Sequence, residues 1–143
     1  MSVALLALCL ADEYCPELDK GRLILMGLQH DFGEIYAGDI VPGKISLEEK
    51  HALERKSVER VFLRLPKGRV YLAIWEEFEA QATPEARLMK EIDRLEMGLQ
   101  ASIYEQEGFD NLSAFFNSTD KALSTPELRK ILDALLKLRA GAR

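Results

Sequence analysis

The chain has 143 residues, of which 48% are hydrophobic, so it is large enough for one domain with a core and too apolar for a disordered protein. Its formal net charge of -5 argues against a protein that binds a nucleic-acid backbone, because such proteins usually carry a basic stripe. The apolar run 3–11 is too short to span a membrane and lacks the flanks of a signal peptide.

Cys9 and Cys15 are the two cysteines, and they show neither Cys-x-x-Cys spacing nor a neighbouring histidine. Their pattern predicts reduced thiols in a cytoplasmic protein rather than a zinc finger or a redox motif. No internal repeat and no long linker divides the chain, so residues 1–143 are expected to form a single domain.

The sequence predicts an all-α fold, a compact bundle of about six to seven helices. Leu, Ala, Glu, Lys and Arg dominate, and the alternating β-branched runs of strands are missing. Gly33, Gly38, Pro42 and Gly43 predict a loop region after the second helix. Capping residues and Pro or Gly breakers place the helices at about 3–14, 20–30, 46–65, 69–80, 83–107, 111–116 and 125–139.

The fifth predicted helix carries an apolar stripe at spacings of three and four, which predicts its inward face. Asp93 borders this stripe, and by itself it is typical of a solvated helix position. The residues of the stripe are Leu88, Ile92, Leu95, Leu99 and Ile103.

Glu76 and Glu77 belong to an acidic run, which predicts a solvated face.

The segment 30–39 concentrates one of the two histidines and three carboxylates within ten residues, directly after an apolar helix. Charge at the end of a buried helix requires a partner. A divalent cation is one such partner, because His30 and Asp31 offer the mixed nitrogen and oxygen donors that suit borderline first-row metals. On a helix Glu34 lies over the face of His30, where its carboxylate could orient a water and take its proton.

Each of these residues also has a structural interpretation. His30 could be a core histidine bonded to a backbone carbonyl, although two nearby carboxylates favour a metal ligand over that role. Glu34 could bond to backbone amides at a helix start. Asp39 could be a turn residue after Gly38.

The motif His30-Asp31, followed by Glu34 and Asp39, resembles the centre of the HD-domain phosphohydrolases, and most closely their 5'-deoxynucleotidase-like branch. The segments 74–79 and 83–96 resemble two further motifs of that branch. The resemblance implies an HD-like helical fold and a metal-dependent hydrolase that releases phosphate from nucleoside (deoxynucleoside) 5'-monophosphates. It implies a divalent cation (Mn, Co, Ni or Zn) and a homodimer, to which exposed residues such as Phe109, Phe115 and Phe116 could contribute.

By the same resemblance, the metal ligands are His30, Asp31 and Asp93. Glu34 is the general base or water-orienting group, and Asp39 contacts the substrate sugar. The family's site also uses a histidine upstream of the His-Asp pair, and no histidine precedes His30. Two explanations of this departure stay open. Either the chain is truncated or its start is misplaced, so that the histidine lies upstream of Met1, or the chain is a degenerate helical binding or assembly protein without hydrolase activity.

Overall fold

The structure is a computed structural model, and it describes residues 3–37 and 46–141. Within these ranges the chain is all helical and contains no strand, which confirms the predicted fold class. The elements are α1 (Val3–Tyr14), α2 (Lys20–Gln29), a 3₁₀ helix (His30–Gly33), α3 (Glu34–Ala37), α4 (Leu47–Phe62), α5 (Gly68–Ala80), α6 (Pro84–Gln106), α7 (Ser113–Ala122) and α8 (Pro126–Gly141).

The helix starts follow from side chains that accept backbone N–H groups. The Asp19 carboxylate accepts from the N–H of Arg22 at 3.0 Å, which opens α2. Ser46 and Glu49 form a reciprocal capping box at the start of α4. Thr83 caps α6 from the position before Pro84. These contacts satisfy N–H groups that have no partner inside the helix, and so they fix where each helix begins.

The loop predicted to begin at Gly33 is helical up to Ala37, because the chain continues from α2 into the 3₁₀ helix and then α3. Gly33 is not a breaker here. A Cβ at this position would lie 2.9 Å from the Cβ of Glu54. Gly33 therefore permits close contact between the 3₁₀ helix and α4, and its role is packing.

The main core is formed by apolar residues of α1, α2, α5, α6 and α8. A smaller cluster of Val58, Phe62 and Trp75 joins α4 to α5. The predicted stripe of α6 is inward-facing only in part, since Ile103 is 44% exposed. Leu88, Ile92 and Leu95 of the stripe pack in the main core with side chains of α1 and α2, whereas Ile103 does not belong to that core.

One residue expected at an exposed surface is buried. Phe116 is 3% exposed, and the guanidinium of Arg139 lies 4.1 Å from its ring centroid. Phe109 and Phe115 are exposed, as expected. None of the helices in the described part of the chain is both long and apolar enough to cross a membrane.

Glu77 on α5 connects three helices and is not the solvated residue that its acidic run predicts. The Nε of Arg22, on α2, donates to both of its carboxylate oxygens at 2.9 Å, and the Thr83 hydroxyl donates to Oε1 at 2.6 Å. The Glu77 side chain is 10% exposed. The hydrogen bond from Arg22, with a further one from Thr83, lowers the pKa of Glu77 below its ordinary value.

Glu77→Gln should therefore lower the free energy of unfolding by about 1–2 kcal/mol near pH 7, because it removes a charged hydrogen-bond acceptor while Arg22 remains. Because the folded-state pKa of Glu77 is depressed, its stabilisation is complete above the unfolded-state pKa and is lost as the pH falls through the folded-state value. Urea unfolding of both proteins at neutral and acidic pH measures the difference.

The matched control is Glu76→Gln, the same change at the preceding and more exposed position on α5. Its effect should stay within about 0.5 kcal/mol. Equal stability of the two variants at neutral pH would contradict the role given to Glu77.

Candidate metal centre

His30 follows the last residue of α2, and its ring is oriented by the helix itself. Nδ1 lies 2.9 Å from the backbone carbonyl oxygen of Gly27. A carbonyl oxygen can only accept, so Nδ1 carries a proton and donates it. In the neutral ring, Nε2 then has a free electron pair for a metal, which is the usual arrangement of a metal-binding histidine.

Two carboxylates approach that Nε2 atom. Asp31 Oδ2 lies at 3.1 Å and Asp93 Oδ1 at 3.6 Å. The His30 and Asp93 side chains are 18% and 27% exposed, whereas that of Asp31 is 70% exposed. The structure thus brings together, around one atom, the three residues that the sequence predicts as metal ligands.

The packing of α1, α2 and α6 brings these residues together. A Cβ on Gly27 would lie 2.9 Å from the Cα of Ala4, so the backbones of α1 and α2 are in close contact at that point. Met26 on α2 and Ile92 on α6 are fully buried in the same core. Asp93 is the next residue after Ile92 and is therefore held at the edge of this core.

The charges at the site raise the pKa of His30 and lower that of Asp31. Burial by itself would lower the pKa of His30, but the hydrogen bond to Asp31 and the charges of Asp31 and Asp93 raise it above its ordinary value. The same hydrogen bond lowers the pKa of Asp31, and the charge of Lys90 lowers it further. A proton and a metal cation would therefore compete for Nε2 of His30.

The three donors fit a divalent cation chemically, because one imidazole nitrogen and two carboxylates are ligands that first-row metals accept. They open onto a cavity of about 250 Å³ that also has cationic side chains in its wall. The residues that line it are His30, Asp31, Gly33, Glu34, Lys50, Glu54, Trp75, Phe78, Glu79, Lys90, Asp93 and Arg94.

Glu34, the predicted catalytic carboxylate, lies in the wall of this cavity at the start of α3. It is therefore placed next to the candidate metal ligands, as its spacing from His30 predicts. Asp39, the predicted substrate ligand, lies outside the described residues.

Three cationic residues of the cavity wall, Lys50, Lys90 and Arg94, were not identified as site residues from the sequence. Lys90 and Arg94 flank Asp93 on α6, and the Nζ of Lys90 lies 4.6 Å from the centroid of the Phe78 ring. The spacing could have indicated Lys90, because it lies three residues before Asp93 and therefore on the same face of the helix. The cavity therefore offers positive charge as well as metal ligands.

Comparison with known proteins gives consistent matches. The family described as HD domain matches residues 1–134. A 5'-deoxynucleotidase HDDC2 from Xenopus laevis is 39% identical over 132 residues, covering 88% of this chain and 65% of that protein. The Mus musculus protein of the same name is 35% identical over 138 residues, covering 93% of this chain and 68% of its own length.

A solved structure from Magnetospirillum magnetotacticum, described as a predicted metal-dependent phosphohydrolase, has 29% sequence identity and a TM-score of 0.72. The match covers 97% of this chain and 74% of that one. The chain thus spans about two thirds to three quarters of the length of these relatives.

In metal-free protein, the NMR-detected pKa of His30 should lie above the ordinary histidine value, and Asp31→Asn should lower it, because the substitution removes a negative charge and an acceptor. The chain has two histidines, so a His51→Gln sample assigns the signals. Asp133→Asn, an exposed change on α8, should leave the pKa of His30 unaltered. An unchanged value in Asp31→Asn would refute the proximity of these groups.

Proposed function

The chain belongs to the HD-domain family, and we propose that it is a metal-dependent phosphomonoester hydrolase acting on nucleoside 5'-monophosphates, including deoxynucleotides. The observation that carries this proposal is the approach of Asp31 and Asp93 to the same ring nitrogen of His30. The similarity to proteins named 5'-deoxynucleotidase supports the substrate class.

His30, Asp31 and Asp93 are the proposed ligands of a divalent cation. A bound cation would supply a Lewis acid for a phosphoryl oxygen and make a nearby water more acidic. The ligand types do not select among manganese, cobalt, nickel and zinc. The second ring nitrogen of His30, bonded to the Gly27 carbonyl oxygen, keeps Nε2 oriented toward the site.

The other roles fall to side chains of the cavity wall. The Glu34 carboxylate orients the attacking water and accepts its proton. As the water oxygen bonds to phosphorus, the bond from phosphorus to the 5' oxygen breaks, and that oxygen takes up a proton from solvent, so that the nucleoside leaves as an alcohol. Lys90 and Arg94 supply positive charge for the phosphate oxygens, so that the negative charge of the transition state is neutralised by groups already in place. By resemblance, Asp39 contacts the sugar.

We also propose that the chain acts as a single domain and as a homodimer in the cytoplasm. Exposed apolar side chains near the C-terminal end of α6 support the dimer, since Tyr104 and Phe109 pack on each other with ring centroids 5.6 Å apart while both remain exposed. The free cysteines Cys9 and Cys15 are consistent with a reducing compartment.

Phosphate release from a panel of nucleoside 5'-monophosphates tests the activity, using metal-depleted protein with Mn²⁺ or Co²⁺ added back. Asp31→Ala should abolish release because it removes a proposed metal ligand. Glu34→Gln should lower kcat by about 10²–10⁴-fold while metal content is retained, because it removes the proton acceptor but no proposed ligand.

Asp133→Asn again serves as the control and should match the wild type. If the wild type releases no phosphate and retains no metal at any concentration tested, the alternative of a helical binding protein without hydrolase activity is favoured. If Glu34→Gln is fully active, the proton acceptor is a different group.

Lys90→Ala tests the phosphate contact separately. It should lower kcat/KM by about tenfold, mainly through KM, because it removes a positive charge that contacts the substrate phosphate. Lys130→Ala, at an exposed position on α8, should leave both constants unchanged. A normal KM in Lys90→Ala would exclude this contact.

A further inference from the structure

A second cavity adjoins the one that contains the His30 site. It has a volume of about 420 Å³ and lies where the first half of α6 meets the end of α5 and the segment between α7 and α8. Lys90 and Arg94 line both cavities, so the two meet at α6. A ligand bound at the His30 site could therefore extend into the second cavity without leaving the protein surface.

Three side chains of the second cavity are permanently cationic. Arg87, Lys90 and Arg94 follow one another at spacings of three and four, which places them on one face of α6. No ion pair within residues 3–37 and 46–141 involves any of the three, although the net charge of the chain is -5. Four other arginines do pair with carboxylates, and they are Arg22, Arg55, Arg129 and Arg139.

Each of the three cations is held by a neutral group. The Nη1 of Arg87 donates to the backbone carbonyl oxygen of Gln81 at 3.2 Å, and the Nη1 of Arg94 lies 3.9 Å from the sulfur of Met97. The Nζ of Lys90 lies 4.6 Å from the centroid of an aromatic ring. Such contacts orient a cationic side chain but leave its charge uncompensated, and each side chain keeps further donors for an anion.

The carboxylate of Glu91 also lines the second cavity, but it has partners of its own. Its Oε2 accepts from the backbone N–H groups of Ser124 and Thr125 at 2.9 and 2.8 Å. Its Oε1 accepts from the Ser124 hydroxyl at 2.5 Å. Both oxygens are thus bonded at the start of α8, where a helix stabilises negative charge. Among the described residues of this cavity, three cations face one carboxylate, so its net charge is positive.

The position of Arg87 limits which anion can use both cavities. Arg87 is six residues before Asp93, and a rise of about 1.5 Å per residue separates the two by about 9 Å along α6. Two directly linked phosphates are more compact than this separation. Phosphates on the 5' and 3' oxygens of one sugar are held apart by the ring, and so they suit it better.

We propose that Arg87, with Lys90 and Arg94, forms a subsite for a second phosphate group, carried by the 3' oxygen of a nucleotide whose 5'-phosphate lies at the His30 site. The ligand class is a nucleoside 3',5'-bisphosphate. This inference rests on the proposed function, because that function places the first phosphate. The guanidinium of Arg87 supplies charge-assisted hydrogen bonds to the second phosphate.

Calorimetric binding of three nucleotides tests the subsite on the full chain. The Glu34→Gln protein with Co²⁺ added is used, because slow turnover keeps the ligands intact. Deoxyadenosine 3',5'-bisphosphate should bind about tenfold more tightly than deoxyadenosine 5'-monophosphate, since it gains a charged hydrogen-bonded contact. Deoxyadenosine 5'-diphosphate carries a similar charge but should gain about twofold at most, because its second phosphate does not reach Arg87.

Arg87→Gln, introduced into the same protein, should reduce the preference for the bisphosphate to about twofold or less. Arg87→Lys keeps the positive charge and should retain part of the preference, which the loss of a merely structural contact to Gln81 would not explain. The matched control is Arg64→Gln, the same change at an exposed position after α4. It should keep the full preference.

The subsite is overturned if the bisphosphate binds no more tightly than the 5'-monophosphate, or if Arg87→Gln leaves the preference intact. Equal gains for the bisphosphate and the 5'-diphosphate would also overturn it, because charge alone would then explain the affinity. These measurements do not involve phosphate release, so the hydrolase proposal would still stand. Conversely, a wild type that releases no phosphate, together with a preference that depends on Arg87, would refute the hydrolase and keep the subsite.

Discussion

The contact between α2 and α6 is the constraint on which the candidate metal centre depends. Leu23 and Met26 on α2, and Met89 and Ile92 on α6, are fully buried in one core. Burial of each such side chain contributes about 1.5–3 kcal/mol, so the two helices have little freedom to slide. His30, one residue beyond α2, therefore lies at a fixed distance from the carboxylate of Asp93, which follows Ile92 on α6. The apolar core thus positions polar groups that have little attraction for one another without a proton or a cation.

The charges of the cavity explain why metal binding at this site should depend on pH. Among the residues that the structure describes, five carboxylates and three permanently cationic side chains line the cavity. The excess of negative charge favours cations, and Asp31 and Asp93 together raise the pKa of His30 above its ordinary value. A metal and a proton then compete for the same ring nitrogen, so metal affinity should fall as the solution becomes acidic. Asp31 is the more exposed of the two carboxylates and the more easily reached by a metal from solvent.

Local signals in the sequence were sufficient for most of the helices and for part of the site, but not for the 3₁₀ helix and α3, which fall where a loop was predicted. Capping residues and proline fixed the starts of α2, α4 and α6, and the spacing of His30, Asp31 and Glu34 indicated a shared surface. Contacts between helices could not be predicted this way. Glu77 was expected to be solvated because it lies in an acidic run. Its partner Arg22 is 55 residues away in the sequence, so no local pattern indicates the contact. Likewise the approach of Glu79 to the His51 ring depends on the packing of α4 against α5, for which the sequence has no local signal.

The charges around the candidate metal centre have a consequence for substrate binding. Lys90 and Arg94 lie on either side of Asp93 in the sequence of α6, so permanent positive charges line the cavity next to the proposed metal ligands. A bound divalent cation would add to them, and its attraction for an anion would be larger than in bulk water because the protein wall lowers the local dielectric constant. A phosphate group would be attracted by the cation and by both side chains, whereas a neutral ligand of the same size would not. The arrangement thus favours small, doubly charged anions. Gly33 is needed for this cavity wall, because a Cβ there would lie 2.9 Å from the Cβ of Glu54 and would force the 3₁₀ helix and α4 apart.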